Sequence, residues 1–206
     1  HLSIRRQRQM CIRDRKNTIM ATGALERPLV FPNNDRPGIM LATAVSGYLN
    51  RYGVLVGKRI VIFTNNSIGH RTASVISNTK AEVVSIIDSR PESFGSWEQA
   101  NLTKGIEVRW QSRVFNTRGR KYIKGVLVGS IDSQRREWLD CDLLAMSGGF
   151  SPTINLYAHT GGKAVWKDGQ DAYFPDLSED NFTAVGLLSL IHISEPTRLG
   201  LISYAV

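Results

Sequence analysis

Thr18-Ile19-Met20-Ala21-Thr22-Gly23 and Leu143-Leu144-Ala145-Met146-Ser147-Gly148-Gly149 share one shape, a short apolar strand that runs directly into glycine. A strand ending this way lets backbone amides come close to a ligand, because no side chain stands between them. The two strand ends lie far apart in the chain. What lies between them decides the fold.

Between them, Arg59-Ile60-Val61-Ile62-Phe63-Thr64 is a continuous apolar strand of the kind buried on both faces in a parallel sheet. Asn65-Asn66-Ser67 ends it. Ser67 to about Lys80 then reads as a helix, and Ala81 to Asp88 as a second strand. This is a βαβ unit of Rossmann-like type.

The flanking segments fit around that unit. Ala24 to Pro28 reads as a loop, and Pro28, Pro32 and Pro37 keep the backbone out of helix until Asp35 or Arg36. A helix capped there, with Pro37 in its first turn, places Met40, Leu41, Ala44, Val45, Tyr48, Leu49 and Tyr52 at helical spacing, and Gly53 closes it. Downstream come a strand at 106 to 111 and a hairpin from Arg113 to Ile131 that turns near Arg118-Gly119-Arg120. Trp138 to Asp142 leads into the second strand-to-glycine motif.

The charge needs correction before it carries an argument. The chain of 206 residues has a formal net charge of +8, and Arg5 to Arg15 alone looks like a basic arm for nucleic acid. Yet Gln9 to Arg15 can be encoded as cag atg tgt ata aga gac ag. Without its first base, the reverse complement of that string is ctg tct ctt ata cac atc t, which encodes Leu188 to Ile193 and opens the codon of Ser194.

Two unrelated protein ends have no reason to be complementary. The string resembles the mosaic end of a transposon-based sequencing adapter. Residues 1–15 and 188–206 are therefore expected to be adapter-derived rather than native and are set aside, as a fusion scar would be. Those segments hold six Arg, five of them before Lys16, against Asp14 and Glu195, so the remaining net charge is +4. A mildly basic domain of that kind implies no nucleic-acid partner.

Of two cysteines, Cys11 belongs to the arm and Cys141 sits inside an apolar run. One thiol makes neither a disulfide framework nor a metal site, and a small buried hydrophobe is its expected role. No stretch has membrane-spanning length, so the expected location is cytoplasmic, with no membrane partner. The residues from 16 to 187 begin and end in mid-pattern, as an internal fragment would.

The two strand-to-glycine turns, MATGALERP and LLAMSGGFSP, flank an inserted βαβ unit in the manner of two-dinucleotide flavoproteins. Together with NNDRPGIMLATAVSGYLNRYG, GKRIVIFTNN and CDLLAMSGGFSPTINLYAHTGGK, the chain resembles the alpha subunits of heterotetrameric sarcosine oxidases over almost all of 16–187. The resemblance implies an α/β, glutathione-reductase-like fold with two dinucleotide-binding domains, truncated at both ends. Residues 16–56 would be part of a split FAD/NAD-binding domain, 57–140 an inserted Rossmann-like domain, and 141–187 the return to the first.

Candidate cofactor-binding residues follow from motifs and resemblance together: Thr22, Gly23, Arg27, Asn65, Asn66, Asp88, Ser147, Gly148 and Gly149. Asp88 ends the second strand about twenty positions after Asn66, where an acid binds a ribose hydroxyl in dinucleotide folds. Phe63 to Gly69, however, lacks G-x-G-x-x-G, so a pyrophosphate cannot lie as close to this turn. His70 and His159 have no acid or ligand at catalytic spacing and read as structural or solvated. No residue is assigned a catalytic or metal-binding role.

The resemblance also implies a function for the parent protein: oxidative demethylation of sarcosine to glycine, with the one-carbon unit passed to tetrahydrofolate in a domain beyond this chain. It implies NAD in this subunit, FAD and FMN in the complex, and, as partner, a beta subunit. A related two-subunit amine, opine or proline dehydrogenase component and an NAD(P)H-dependent flavin reductase are the alternatives. Disulfide reduction is disfavoured without a C-x4-C pair, and a basic-armed binding protein loses its support with the arm. The fragment alone is expected to be inactive and to leave the Met20 and Leu143 strands without their natural neighbours, exposing apolar faces and sheet edges.

Overall fold

The structure is a computed structural model in which residues 16–95, 102–177 and 182–189 are described. The arm at 1–15 and the segment 190–206 lie outside them. The chain divides into two compact units, Glu26–Phe150 and a second made of the segments on either side.

The unit Glu26–Phe150 is built on a five-stranded parallel sheet. In chain order its strands are β3 (Ile39–Leu41), β4 (Arg59–Thr64), β5 (Glu82–Asp88), β6 (Val108–Arg109) and β10 (Leu143–Ser147), with lateral order β3-β10-β4-β5-β6. Helices α1 (Ala42–Tyr52) and α2 (Ser67–Ser77) connect β3 to β4 and β4 to β5. β7 (Ser112–Arg118), β8 (Gly125–Ser130) and β9 (Arg136–Asp140) form an antiparallel meander.

Alternation along the central strands sorts the core into two layers. Ile60 and Ile62 of β4, Ile86 of β5 and Leu143 and Ala145 of β10 pack with Val45, Ala73 and Ile76 of the helices. Val61, Phe63, Ile87, Leu144 and Met146 point the other way, onto Val114, Val126, Val128 and Leu139 of the meander. A strand buried on both faces has no polar side, which is why RIVIFT and LLAMS read as unbroken apolar runs. Each fully buried isoleucine contributes about 2 kcal/mol of transfer free energy.

Several expectations need correction. α1 begins at Ala42, not near Arg36, because Gly38 takes φ +95° and Ile39–Leu41 pairs in parallel with Leu144–Met146. A helix started at Pro37 would forfeit that ladder. Residues 24–26 form a short strand, β2 (Ala24–Glu26), paired with β11 (Phe150–Pro152), rather than a loop. Residues 136–140 are a third meander strand and not a simple connection.

β3 and β4 flank the Leu143 strand, in a sheet carried entirely by this chain. The expected limits of the inserted domain, 57 and 140, both fall inside the compact unit, which takes in β3 and α1 before them and β10 after.

The second unit is smaller. β1 (Thr18–Met20) pairs in parallel with β14 (Phe182–Ala184), α3 (Asn155–His159) carries Tyr157, and β12 (Ala164–Lys167) forms a hairpin with β13 (Ala172–Pro175). Met20, Tyr157 and Leu188 make its core, with Phe182 edge-on to Tyr157. Leu188, placed by sequence at the start of the adapter segment, is thus fully buried.

Candidate nucleotide-binding site

Parallel strands bring their carboxyl ends to one edge, and ligands of open α/β sheets bind there. Strand register aligns Ser147 of β10 with Thr64 of β4, and Thr64 with Asp88 of β5. All three side chains are fully buried, a polar row at the carboxyl edge of an otherwise apolar sheet. Asn65 and Asn66 follow Thr64 directly.

Asn66 ties this row together. As N-cap of α2 it accepts from the Ile68 amide at 2.9 Å, and its Nδ2 donates to Ser147 O at 3.1 Å and Ser147 Oγ at 3.0 Å. The Asn65 amide donates to the same Ser147 carbonyl at 3.2 Å. The expected site residues Asn65, Asn66 and Ser147 are therefore brought together, bound to one another. At this turn the residues do not fit a pyrophosphate drawn onto the helix terminus, since the Asn66 amide group already lies there.

Asp88 is also committed. Its Oδ1 accepts from the Arg90 amide at 2.9 Å and Arg90 Nε at 3.1 Å, and its Oδ2 accepts from Arg90 Nη2 at 2.7 Å and His70 Nε2 at 2.9 Å. Burial pushes the carboxyl upward, but hydrogen bonds from His70 and Arg90 outweigh it, and its pKa is held below the ordinary carboxylate value. An ionised Asp88 can only accept, so His70 Nε2 donates.

The His70 side chain is fully buried and stacks on Trp110, with centroids 5.4 Å apart and planes 22° from parallel. Sequence reasoning missed this partnership. The two residues lie 18 positions apart, on α2 and β5, and only the right-handed βαβ crossover makes them neighbours. His159 ends α3 and is exposed.

Arg27 and the glycine pair form a second cluster within the same unit. The Gly148 amide donates to Arg27 O and the Arg27 amide to Gly149 O, each at 2.8 Å. A Cβ on Gly148 would stand 2.9 Å from Arg27 O and 3.0 Å from Pro28 O, and one on Gly149, where φ is +89°, 2.8 Å from Arg27 Nη2. Gly148 is thus needed for two chain segments to touch, and Gly149 for its left-handed backbone.

Gly23, in the other unit, differs. Its φ of +73° favours glycine, yet nothing lies within 4 Å of the position a Cβ would take. Beside it, Thr22 Oγ1 donates to Thr153 O at 2.6 Å and the Thr153 amide to Gly23 O at 2.9 Å, so the turn is braced while one side stays open. Gly23 thus differs from Gly148 and Gly149 in having no atom against an added Cβ.

No described helix is long and apolar enough to cross a membrane. No protein-family model matches the chain. Among solved structures it is similar to thioredoxin reductase from T. acidophilum (TM-score 0.65, 19% identity, 84% of this chain and 57% of that one). It is also similar to L-proline dehydrogenase from P. horikoshii (TM-score 0.55, 20% identity, 84% and 30%). What these likenesses carry is the fold, the glutathione-reductase-like α/β architecture expected from sequence.

Among curated proteins, an opine oxidase subunit of Rhizobium meliloti is 24% identical over 181 residues, 78% of this chain and 40% of its own length. The sarcosine oxidase alpha subunit of Rhizobium meliloti is 42% identical over 161 residues, 75% of this chain, and that of Corynebacterium sp. strain U-96 is 38% identical over 180 residues, 84% of this chain. The chain spans 15 to 18% of the length of those two sarcosine oxidase proteins. Over the matched span the chain is similar to sarcosine oxidase alpha subunits and matches a fragment of that subunit.

Proposed function

We propose that this chain is the nucleotide-binding segment of an oxidoreductase subunit whose parent complex demethylates sarcosine oxidatively to glycine and hands the one-carbon unit to tetrahydrofolate. The observation that carries the reading is identity of about two residues in five to sarcosine oxidase alpha subunits across three quarters or more of the chain. A beta subunit is the expected partner, and the cytoplasm the expected compartment. FAD and FMN would serve the complex, and tetrahydrofolate would bind in a part of the subunit beyond this chain.

Within this reading NAD belongs to the smaller unit, where Gly23 leaves backbone open and Thr22 braces the turn. A bound dinucleotide would supply an adenosine and two phosphates for these amides to hold. Arg27, Gly148 and Gly149 serve it indirectly, by fixing the chain where it enters and leaves the inserted unit. The larger unit contributes a stiff scaffold. None of its residues oxidises the amine, and residues 1 to 206 alone turn over nothing.

The second reading is a component of a two-subunit opine or proline dehydrogenase, favoured by the weaker likeness to the opine oxidase protein and by the fold shared with L-proline dehydrogenase. An NAD(P)H-dependent flavin reductase is less favoured, since its nucleotide turn would keep the glycines that Thr64 and Asn66 replace.

The deciding experiment is co-expression of the full-length subunit with its genomic neighbours, followed by oxygen uptake on sarcosine, proline and an opine. Sarcosine-dependent uptake, with formaldehyde released unless tetrahydrofolate is present, is the expected result. Turnover of proline or opine but not sarcosine would overturn the reading.

A further inference from the structure

We propose that the inserted unit is a dinucleotide fold liganded by its own side chains, closed to NAD and ordered without it. The inference rests on the fold and not on NAD binding by the smaller unit.

In a dinucleotide-binding turn the first glycine of G-x-G-x-x-G makes the tight bend, the second admits the pyrophosphate, and the third lets the helix pack on the strand. Laid on that pattern, Thr64, Asn66 and Gly69 occupy the three positions. The third is retained for its structural purpose: a Cβ on Gly69 would stand 2.5 to 2.8 Å from the Thr64 side chain.

The first two positions are replaced by side chains that do the ligand's bonding. Thr64 Oγ1 donates to Asn66 O at 2.9 Å and accepts from the Asn66 amide at 3.1 Å, which holds the bend without glycine. Asn66 Oδ1 takes the Ile68 amide at the helix terminus, the kind of donor a phosphate oxygen would use.

The adenosine half is treated alike. Four donors already fill both oxygens of Asp88, so a ribose hydroxyl has no lone pair to reach. Beyond Asp88 the sheet continues to β6, and Trp110, the residue after it, lays its indole on His70. A flat indole thus covers the imidazole that holds Asp88. Asn66 takes the pyrophosphate's donor and Arg90 the ribose's acceptor, with Trp110 packed behind through His70.

Hydrogen exchange followed by mass spectrometry on the full-length parent subunit, with and without millimolar NAD+ or NADH, tests this. The expected result is no added protection in peptides covering 60–70 and 84–90, and appearance of protection there in an Asn66→Gly, Arg90→Ala, Trp110→Ala variant. Protection of these peptides in the unaltered subunit overturns the proposal. A triple variant that melts cooperatively yet stays blind to NAD overturns the assignment of these side chains as the block. Protection confined to peptides around Gly23 supports both this inference and NAD binding by the smaller unit. Protection nowhere supports the closed cleft while removing NAD from the smaller unit.

Discussion

His70 Nε2 lies 2.9 Å from Asp88 Oδ2, and neither side chain is exposed to solvent. A buried pair of this kind is costly to break, because the surviving partner is left desolvated. Asp88→Asn should destabilise the chain by about 3 kcal/mol at neutral pH. The folded carboxyl is held below its ordinary pKa, so the unfolded chain takes up this proton at higher pH than the folded one. The Asp88 contribution is therefore full above the ordinary carboxylate range and is lost as pH falls from there through the lowered folded pKa. Urea denaturation at neutral pH and again near pH 3 should show the variant's deficit shrinking in acid. An equal deficit at both would sink the ion-pair account.

Asn66 and Ser147 join the ends of β4 and β10, so their energies should not add. Asn66→Ala loses both a helix cap, worth about 1 kcal/mol, and the two bonds to Ser147. Ser147→Ala loses only the hydroxyl. A double-mutant cycle on thermal melts should return a coupling of about 0.5 to 1.5 kcal/mol. A coupling of zero would mean that the Ser147 hydroxyl adds nothing to the hold of Asn66 on the second strand end.

Gly148 and Gly23 looked alike in sequence and play different parts. Gly148→Ala drives a methyl group against two backbone carbonyls and should cost about 1 to 3 kcal/mol through overpacking. Gly23→Ala meets no atom, and its cost is the left-handed backbone alone, about 1 kcal/mol. Denaturation midpoints for the two variants should fall in that order, with Gly148→Ala the lower. In the full-length subunit Gly23→Ala should weaken NAD binding more than Gly148→Ala does.

The strands and the βαβ unit were legible because burial on both faces writes itself as an unbroken apolar run, as in RIVIFT and LLAMS. The start of α1 was not. Leu41, at its N-cap, offers no side-chain acceptor, and the cap comes from Glu26, whose Oε2 accepts from the Thr43 amide at 2.9 Å and from the Thr43 hydroxyl. A cap supplied from seventeen residues away leaves no local signature, so Asp35-Arg36-Pro37 looked like the better start. The closed nucleotide turn was half legible. Missing glycines announced a departure, but only coordinates show the Asn66 side chain filling the place.

That distant cap has a measurable consequence. Glu26→Ala should cost about 1 kcal/mol, through loss of both the hydrogen bonds and a negative charge beside the positive end of a helix dipole. Glu26→Gln keeps an acceptor and should cost half as much or less. If the two variants melt at the same temperature, the carboxylate charge contributes nothing at this terminus.

Cys141 is the last group whose chemistry the fold decides. It is 4% exposed at the foot of β10, and burial, reinforced by the negative charges of Asp142 and Asp140, pushes its thiol up to about 12. Alkylating agents react with the thiolate, so at pH 8 only about one molecule in ten thousand is reactive even before access is considered. Iodoacetamide at pH 8 should leave Cys141 unmodified in the folded chain and label it fully in guanidinium, as read by peptide mass. Rapid labelling of Cys141 without denaturant would show that β10 and the strand before it open together. The packing of Leu144 and Met146 against the meander makes that costly.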